Sequence, residues 1–197
     1  MENGISKPLA SEITNPAVSQ GLRAIGVVFA GSALIAVSSH VALPLGFTPV
    51  PLTLQPFAVL LLGLVLSPPL ATATLVTYLL EGAAGLPVFT PGFAFGAGFA
   101  HLLGLTGGYL LSYPLAAALV AWMWRRSSRG FSAALASAAL GNAIILLCGF
   151  AWLAAWTHSS PRTAFALAVL PFLPGDALKV AAAAAIARGI ERVRRYR

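Results

Sequence analysis

The sequence predicts an all-α integral membrane protein of six transmembrane helices, with irregular outer-side loops between helices one and two and between three and four, and an interrupted helix six. Three observations carry that prediction. Apolar residues make up 58% of the chain and charged residues only 9%, with a mean hydropathy of +0.87, whereas soluble domains carry roughly 25% charged residues. The rule that a membrane span requires ~20 mostly apolar residues divides the chain into six candidate segments. The basic residues lie beside those segments, so the formal charge of +7 reads as a topology signal and not as a nucleic-acid surface.

Residues 1–20 are polar, contain Glu2 and Glu12, and show neither an apolar core nor a small-residue cleavage site. They are expected to form a poorly ordered tail and not a signal peptide, which leaves 21–197 as a single membrane domain. Segment one, about 23–43, carries small residues one turn apart, Gly26 with Ala30 and Ser32 with Ala36. Such spacing lets another helix approach closely. Segment two, about 54–67, is short and stops at Pro68 and Pro69, and segment three, about 70–85, ends at Gly85. Segments four and five fall at about 106–124 and 131–157. Segment six begins near 163, is interrupted over 171–175 and continues to about 190. Pro171 and Pro174 remove backbone donors and clash with the preceding turn. The regular part of helix six is therefore expected to start at Pro174, which suits a first helical turn.

Arg23 precedes segment one, Arg125, Arg126 and Arg129 lie between four and five, and Arg188, Arg192, Arg194, Arg195 and Arg197 follow six. Only Arg162 falls on the other side. This bias predicts a multi-pass protein of the cell membrane with both termini cytoplasmic. On the predicted outer side, 44–56 is rich in Pro and Thr, and 85–108 is rich in Gly and Phe without a fixed charge. Irregular backbone at membrane depth persists only where protein buries it or water reaches it, so these connections are expected to line or cover a cavity.

Away from the ends of the spans, three charges remain: Glu81, Asp176 and Lys179. An ionisable residue inside a membrane is costly and marks a functional site by default. Asp176 and Lys179 stand at i and i+3, on one helix face. They can form a self-neutralising ion pair, a proton or ion relay, or the polar anchors of a pocket with an apolar wall. A relay lacks further deep acids, and His40 and His101 read as interfacial. The interrupted helix beside the pair favours a pocket. Asn142 is a buried amide in need of partners; it can serve a ligand or bridge two helices. Phe89, Phe93, Tyr109 and Trp152 each read as core or interfacial aromatics, although some of the set would wall a ligand. Glu81 receives no role, and Cys148 fills space, without a partner for a disulfide. No enzyme signature, phosphate-binding loop or metal-ligand spacing is present, so no catalytic residue, metal or cofactor is expected.

Four stretches carry a family resemblance: FTPVPLTLQPFAVLLLGLVL (47–66), YLLEGAAGLPVF (78–89), GLTGGYLLSYPLAA (104–117) and LPGDALKVAAAA (173–184). In that order they resemble the signatures of the BioY family, the biotin-specific S components of energy-coupling-factor transporters. The resemblance implies a six-helix membrane subunit that binds biotin at its outer side, then associates with a transmembrane coupling subunit and two ATPase subunits. It implies that Asp176 and Lys179 bind biotin, with Asn142, Phe89, Thr90, Phe93, Tyr109 and Trp152 as further candidate contacts. It also implies that residues 85–101 close over the ligand, and that Gly26, Ala30, Ser32 and Ala36 meet the coupling subunit. Two positions depart from the family pattern: Leu105 stands where Pro is usual, and Glu81 where an apolar residue is usual. A solitary biotin transporter, an S component for another vitamin, and a ligand-free membrane scaffold are the alternatives.

Overall fold

The computed structural model describes residues 16–91 and 98–196. Among them, eight helices follow in chain order: α1 Pro16–His40, α2 Gln55–Val65, α3 Pro68–Ala83, α4 Phe99–Leu102, α5 Gly107–Arg126, α6 Phe131–Thr157, α7 Pro161–Ala168 and α8 Leu173–Arg195. Helix α6 has the bounds expected from the sequence. Helix α1 starts at Pro16, earlier than expected, so 16–20 of the predicted tail are helical, while 1–15 lie outside the described residues. Two helical stretches are long and apolar enough to cross a bilayer unaided, Val18–His40 and Phe131–Thr157. Helices α7 and α8 make a third if read as one span bent by 50°. The 11 residues of α2 rise only about 16 Å, short of the ~30 Å hydrocarbon core.

Length does not decide the place of α2; its all-round apolar surface does. It packs against α1, α5, α6 and α8 and buries Ala58, Val59, Leu60, Leu62, Gly63 and Leu64. Lipid is as apolar as leucine, so such helices are held by close packing more than by burial itself. A Cβ at Gly63 would lie 2.9 Å from the Cβ of Val120 and 3.0 Å from the Ala117 carbonyl oxygen of α5. Between α5 and α6 the fit is reciprocal. Trp152 covers Gly108, and the ring of Tyr109 covers Gly149.

The two small-residue pairs of α1 do not share a face. Six residues along a helix turn it by roughly 240° net, so Gly26 and Ala30 are exposed while Ser32 is fully buried and Ala36 half-buried against the core. The Ser32 hydroxyl donates to the Glu81 carboxylate of α3. Of the four residues expected to form one surface, only Gly26 and Ala30 are therefore exposed.

The connection over 44–56 is more regular than its composition suggests. An antiparallel ribbon closes it, β1 Ala42–Leu43 against β2 Leu52–Thr53, with Ala42 opposite Thr53. The Thr48 hydroxyl donates to the Leu167 carbonyl at 2.8 Å and pins the turn onto α7. After α3 the chain turns through Gly85 at φ 95°, a left-handed conformation that glycine adopts without a Cβ clash. The Val88 carbonyl then accepts from the Ser39 hydroxyl of α1 (2.7 Å) and the Tyr78 hydroxyl of α3 (3.1 Å). Helix α7 is capped by Ser160, whose hydroxyl accepts from the Thr163 N–H at 3.2 Å. The interruption follows α7, and α8 starts at Leu173 with Pro174 in its first turn, one residue from the expected start.

Candidate functional site

The first turns of α8 place two charges on one face. Lys179 Nζ donates to Asp176 Oδ1 at 2.9 Å, with the two residues only 8% and 3% exposed. From α6, Asn142 Nδ2 donates to Asp176 Oδ2 at 3.1 Å. Both carboxylate oxygens are engaged without being saturated, since a carboxylate has about four acceptor sites. Asn142 Oδ1 is buried and lacks a hydrogen-bond partner among the described residues, as is rare for buried polar atoms. The amide thus joins α6 to α8 and still holds an acceptor in reserve.

Asp176 and Lys179 open onto a cavity with about 520 Å³ of atom-free space, part of it open to the outside. Val50, Leu110, Ile145, Leu146 and Phe172 contribute apolar wall, and Thr53, Gln55, Thr90, His101, Thr106, Tyr109 and Tyr113 bring polar groups to it. Gln55 organises one side. Its Nε2 donates to the Tyr78 hydroxyl at 2.6 Å, and its Oε1 accepts from Thr53 at 3.3 Å and from Thr90 at 3.5 Å. Tyr109 sends its hydroxyl to the Ala168 carbonyl at 2.7 Å, at the break before α8, and leaves its ring as wall. The Thr106 hydroxyl oxygen is buried without a partner among the described residues.

Of the residues singled out from the sequence, Thr90, Tyr109, Asp176 and Lys179 line the cavity. Asn142 stands behind Asp176. Phe89 and Trp152 do not line the cavity but support its walls. The Phe89 ring covers Gly82, meets Tyr78 edge-on at 5.5 Å between centroids and stacks on His101 at 4.9 Å. Trp152 Nε1 donates to the Gly104 carbonyl at 2.8 Å, which fixes the turn entering α5. Phe93 lies outside the described residues. Glu81 is held at the α1–α3 seam by Ser32.

Gln55, His101 and Thr106 also line the cavity; they fall in the connections 44–56 and 85–108 that the sequence marks as lining or covering a cavity, although the sequence pattern singles out none of the three as a ligand contact. Gln55 had one usable signal: it is a lone amide opening an otherwise apolar helix, next to Pro56. His101 reads as interfacial by its loop position, yet it is only 7% exposed, because α4 packs against α3 and α5.

The family model described as the BioY family matches residues 10–196. "Probable biotin transporter BioY" of Pyrococcus horikoshii is 39% identical over 159 residues, spanning 81% of this chain and 90% of the relative. "Biotin transporter BioY" of Thermotoga maritima is 37% identical over 162 residues, spanning 82% and 92%. The crystal structure of the S-component for biotin from an ECF-type ABC transporter has the same fold, with a TM-score of 0.80 and 26% identity over 88% of this chain and 93% of that one. Sequence and fold agree over nearly the whole length, and the chain belongs to the BioY family.

Proposed function

We propose that this chain is the biotin-binding membrane subunit of a vitamin-uptake system, the S component of an ATP-driven energy-coupling-factor transporter. The observation that carries the reading is a buried, mutually neutralising Asp176–Lys179 pair at a broken helix, facing a cavity with an extensive apolar and aromatic wall. Biotin matches that chemistry. Its sulfur-containing ring is apolar, its ureido group has two N–H donors and one carbonyl acceptor, and its tail ends in a carboxylate. Asp176 accepts from a ureido N–H and Lys179 donates to the ureido carbonyl, each in a charge-assisted bond. Thr90 and the Tyr109 ring complete the near wall, and Asn142 Oδ1 is one further acceptor within reach of this cluster.

The wider arrangement supports an S component. The α5–α6 connection and the C-terminal end of α8 meet through an Arg129–Glu191 ion pair at 3.2 Å, with Arg188 donating to the Arg129 carbonyl at 3.4 Å. Basic residues thus gather at the end of α8 opposite Asp176. By the positive-inside rule that end is cytoplasmic, and the cavity opens outward. On this reading α1, α2, α3, α5, α6 and the bent α7–α8 pair are the six membrane helices of a single domain, which α1 extends from the expected 21–197 back to Pro16, and α2 crosses only part of the hydrocarbon core. Gly26 and Ala30, exposed on α1, offer a close-packing surface to the coupling subunit. The chain has no phosphate-binding loop, so the two ATPase subunits supply the energy. Calorimetric titration of the purified protein with biotin tests the reading, together with mass spectrometry for a retained vitamin. Saturable biotin binding is expected; retention of a different vitamin, with no response to biotin, overturns it.

A further inference from the structure

We infer that His101 recognises the carboxylate of the ligand, and that binding takes up a proton on its imidazole. This rests on the biotin reading. The fixed charges lining the cavity cancel, since Asp176 and Lys179 pair at 2.9 Å. A ligand that brings a carboxylate into such a site adds a net negative charge in a poorly solvating environment, which is expensive unless a cation meets it.

His101 lines the same cavity and is the side-chain type whose charge changes between about pH 5 and 8. It sits on α4, on the outer-side connection, whereas Asp176 and Lys179 lie on α8. Residues 92–97, GFAFGA, contain no Lys, Arg or His. The His101 ring stacks on Phe89 at 4.9 Å with 27° between planes, and a cation over an aromatic face is favoured.

The other titratable groups around it do not supply a positive charge. Helix α3 presents Tyr78 and Glu81, the latter held by Ser32. Helix α5 presents Tyr109 and Tyr113, and tyrosine hydroxyls are uncharged at neutral pH. Helix α8 presents the Asp176–Lys179 pair, and His40 and His158, at the ends of α1 and α6, are exposed. Protonated imidazole donates through both ring nitrogens, so one charge-assisted bond to the carboxylate forms as a proton arrives from the outer solution. With the ureido group at Asp176 and Lys179, and the tail at His101, the site selects the free acid over its esters.

The test is the Kd of the full-length protein for biotin and for biotin methyl ester, measured by calorimetry from pH 5.5 to 8.5. Biotin is expected to weaken by up to about tenfold per pH unit once the imidazole loses its proton, while the ester, with nothing to neutralise, stays flat. In H101Q the biotin profile becomes flat, at about the wild-type affinity of high pH. Parallel profiles for biotin and ester, or an unchanged slope in H101Q, overturn the inference while leaving biotin as the ligand. Failure of biotin to bind at any pH overturns both. The comparison of acid with ester uses the wild-type chain alone, so it stands even if H101Q does not fold.

Discussion

Helix α8 carries ion pairs at both of its ends, and they use the same chemistry to different effect. Near its start, Asp176 and Lys179 have side chains only 5% and 8% exposed. Near its end, Glu191 pairs with Arg129 at 3.2 Å and lies 3.7 Å from Arg195, partners that are 37% and 57% exposed. Spacing along the helix does not separate the two, because i,i+3 and i,i+4 neighbours meet equally well. Surroundings do. The inner pair faces a cavity and carries unused acceptor and donor capacity, whereas in the outer cluster Glu191 is buried but both arginine partners reach solvent, and the cluster ties the α5–α6 connection to α8. A pair taken out of water gains little stability over apolar packing, so its retention points to a ligand.

The sharpest way to break that contrast is to remove one inner charge. Asp176→Ala strands the Lys179 ammonium and should cost about 3–5 kcal/mol. Biotin affinity should fall by at least about a hundredfold, as read by calorimetry, with a matching drop in thermal stability. Replacing both residues by apolar ones, Asp176→Leu with Lys179→Met, should recover much of the stability but none of the binding. If binding survives in the double variant, the pair is structural and the contrast collapses.

A smaller effect is expected where packing shapes the cavity. Gly149→Val pushes against the Tyr109 ring and breaks its reach to Ala168. Overpacking of this kind costs about 1–3 kcal/mol, and biotin binding should weaken along with the melting temperature. Gln55→Ala removes the link between Tyr78, Thr53 and Thr90; about 1 kcal/mol of stability should be lost, with a measurable rise in Kd. The smallest change belongs to the outer cluster. Arg129→Ala should cost no more than about 1 kcal/mol, leave the Kd for biotin unaltered, and lose even that effect in high salt. A large drop in biotin affinity there would show that the two ends of α8 are energetically coupled.

The sequence alone made the membrane class, the approximate helix positions, the break before α8 and the Asp176–Lys179 pair legible. Each of these rests on local information: hydropathy over a window, proline chemistry, and the angle between residues three apart. Tertiary structure decided the rest. It turned Ser32 inward to Glu81 while leaving Gly26 and Ala30 outside. It closed the Pro-rich connection into a two-residue ribbon, and it moved Phe89 and Trp152 from the cavity to its supports. It also brought Gln55 of α2 and His101 of α4 to the same cavity as the charges of α8. Burial and proximity are properties of segments far apart in the chain, so no window along it can show that an amide at position 55 and an imidazole at 101 share a cavity with a carboxylate at 176.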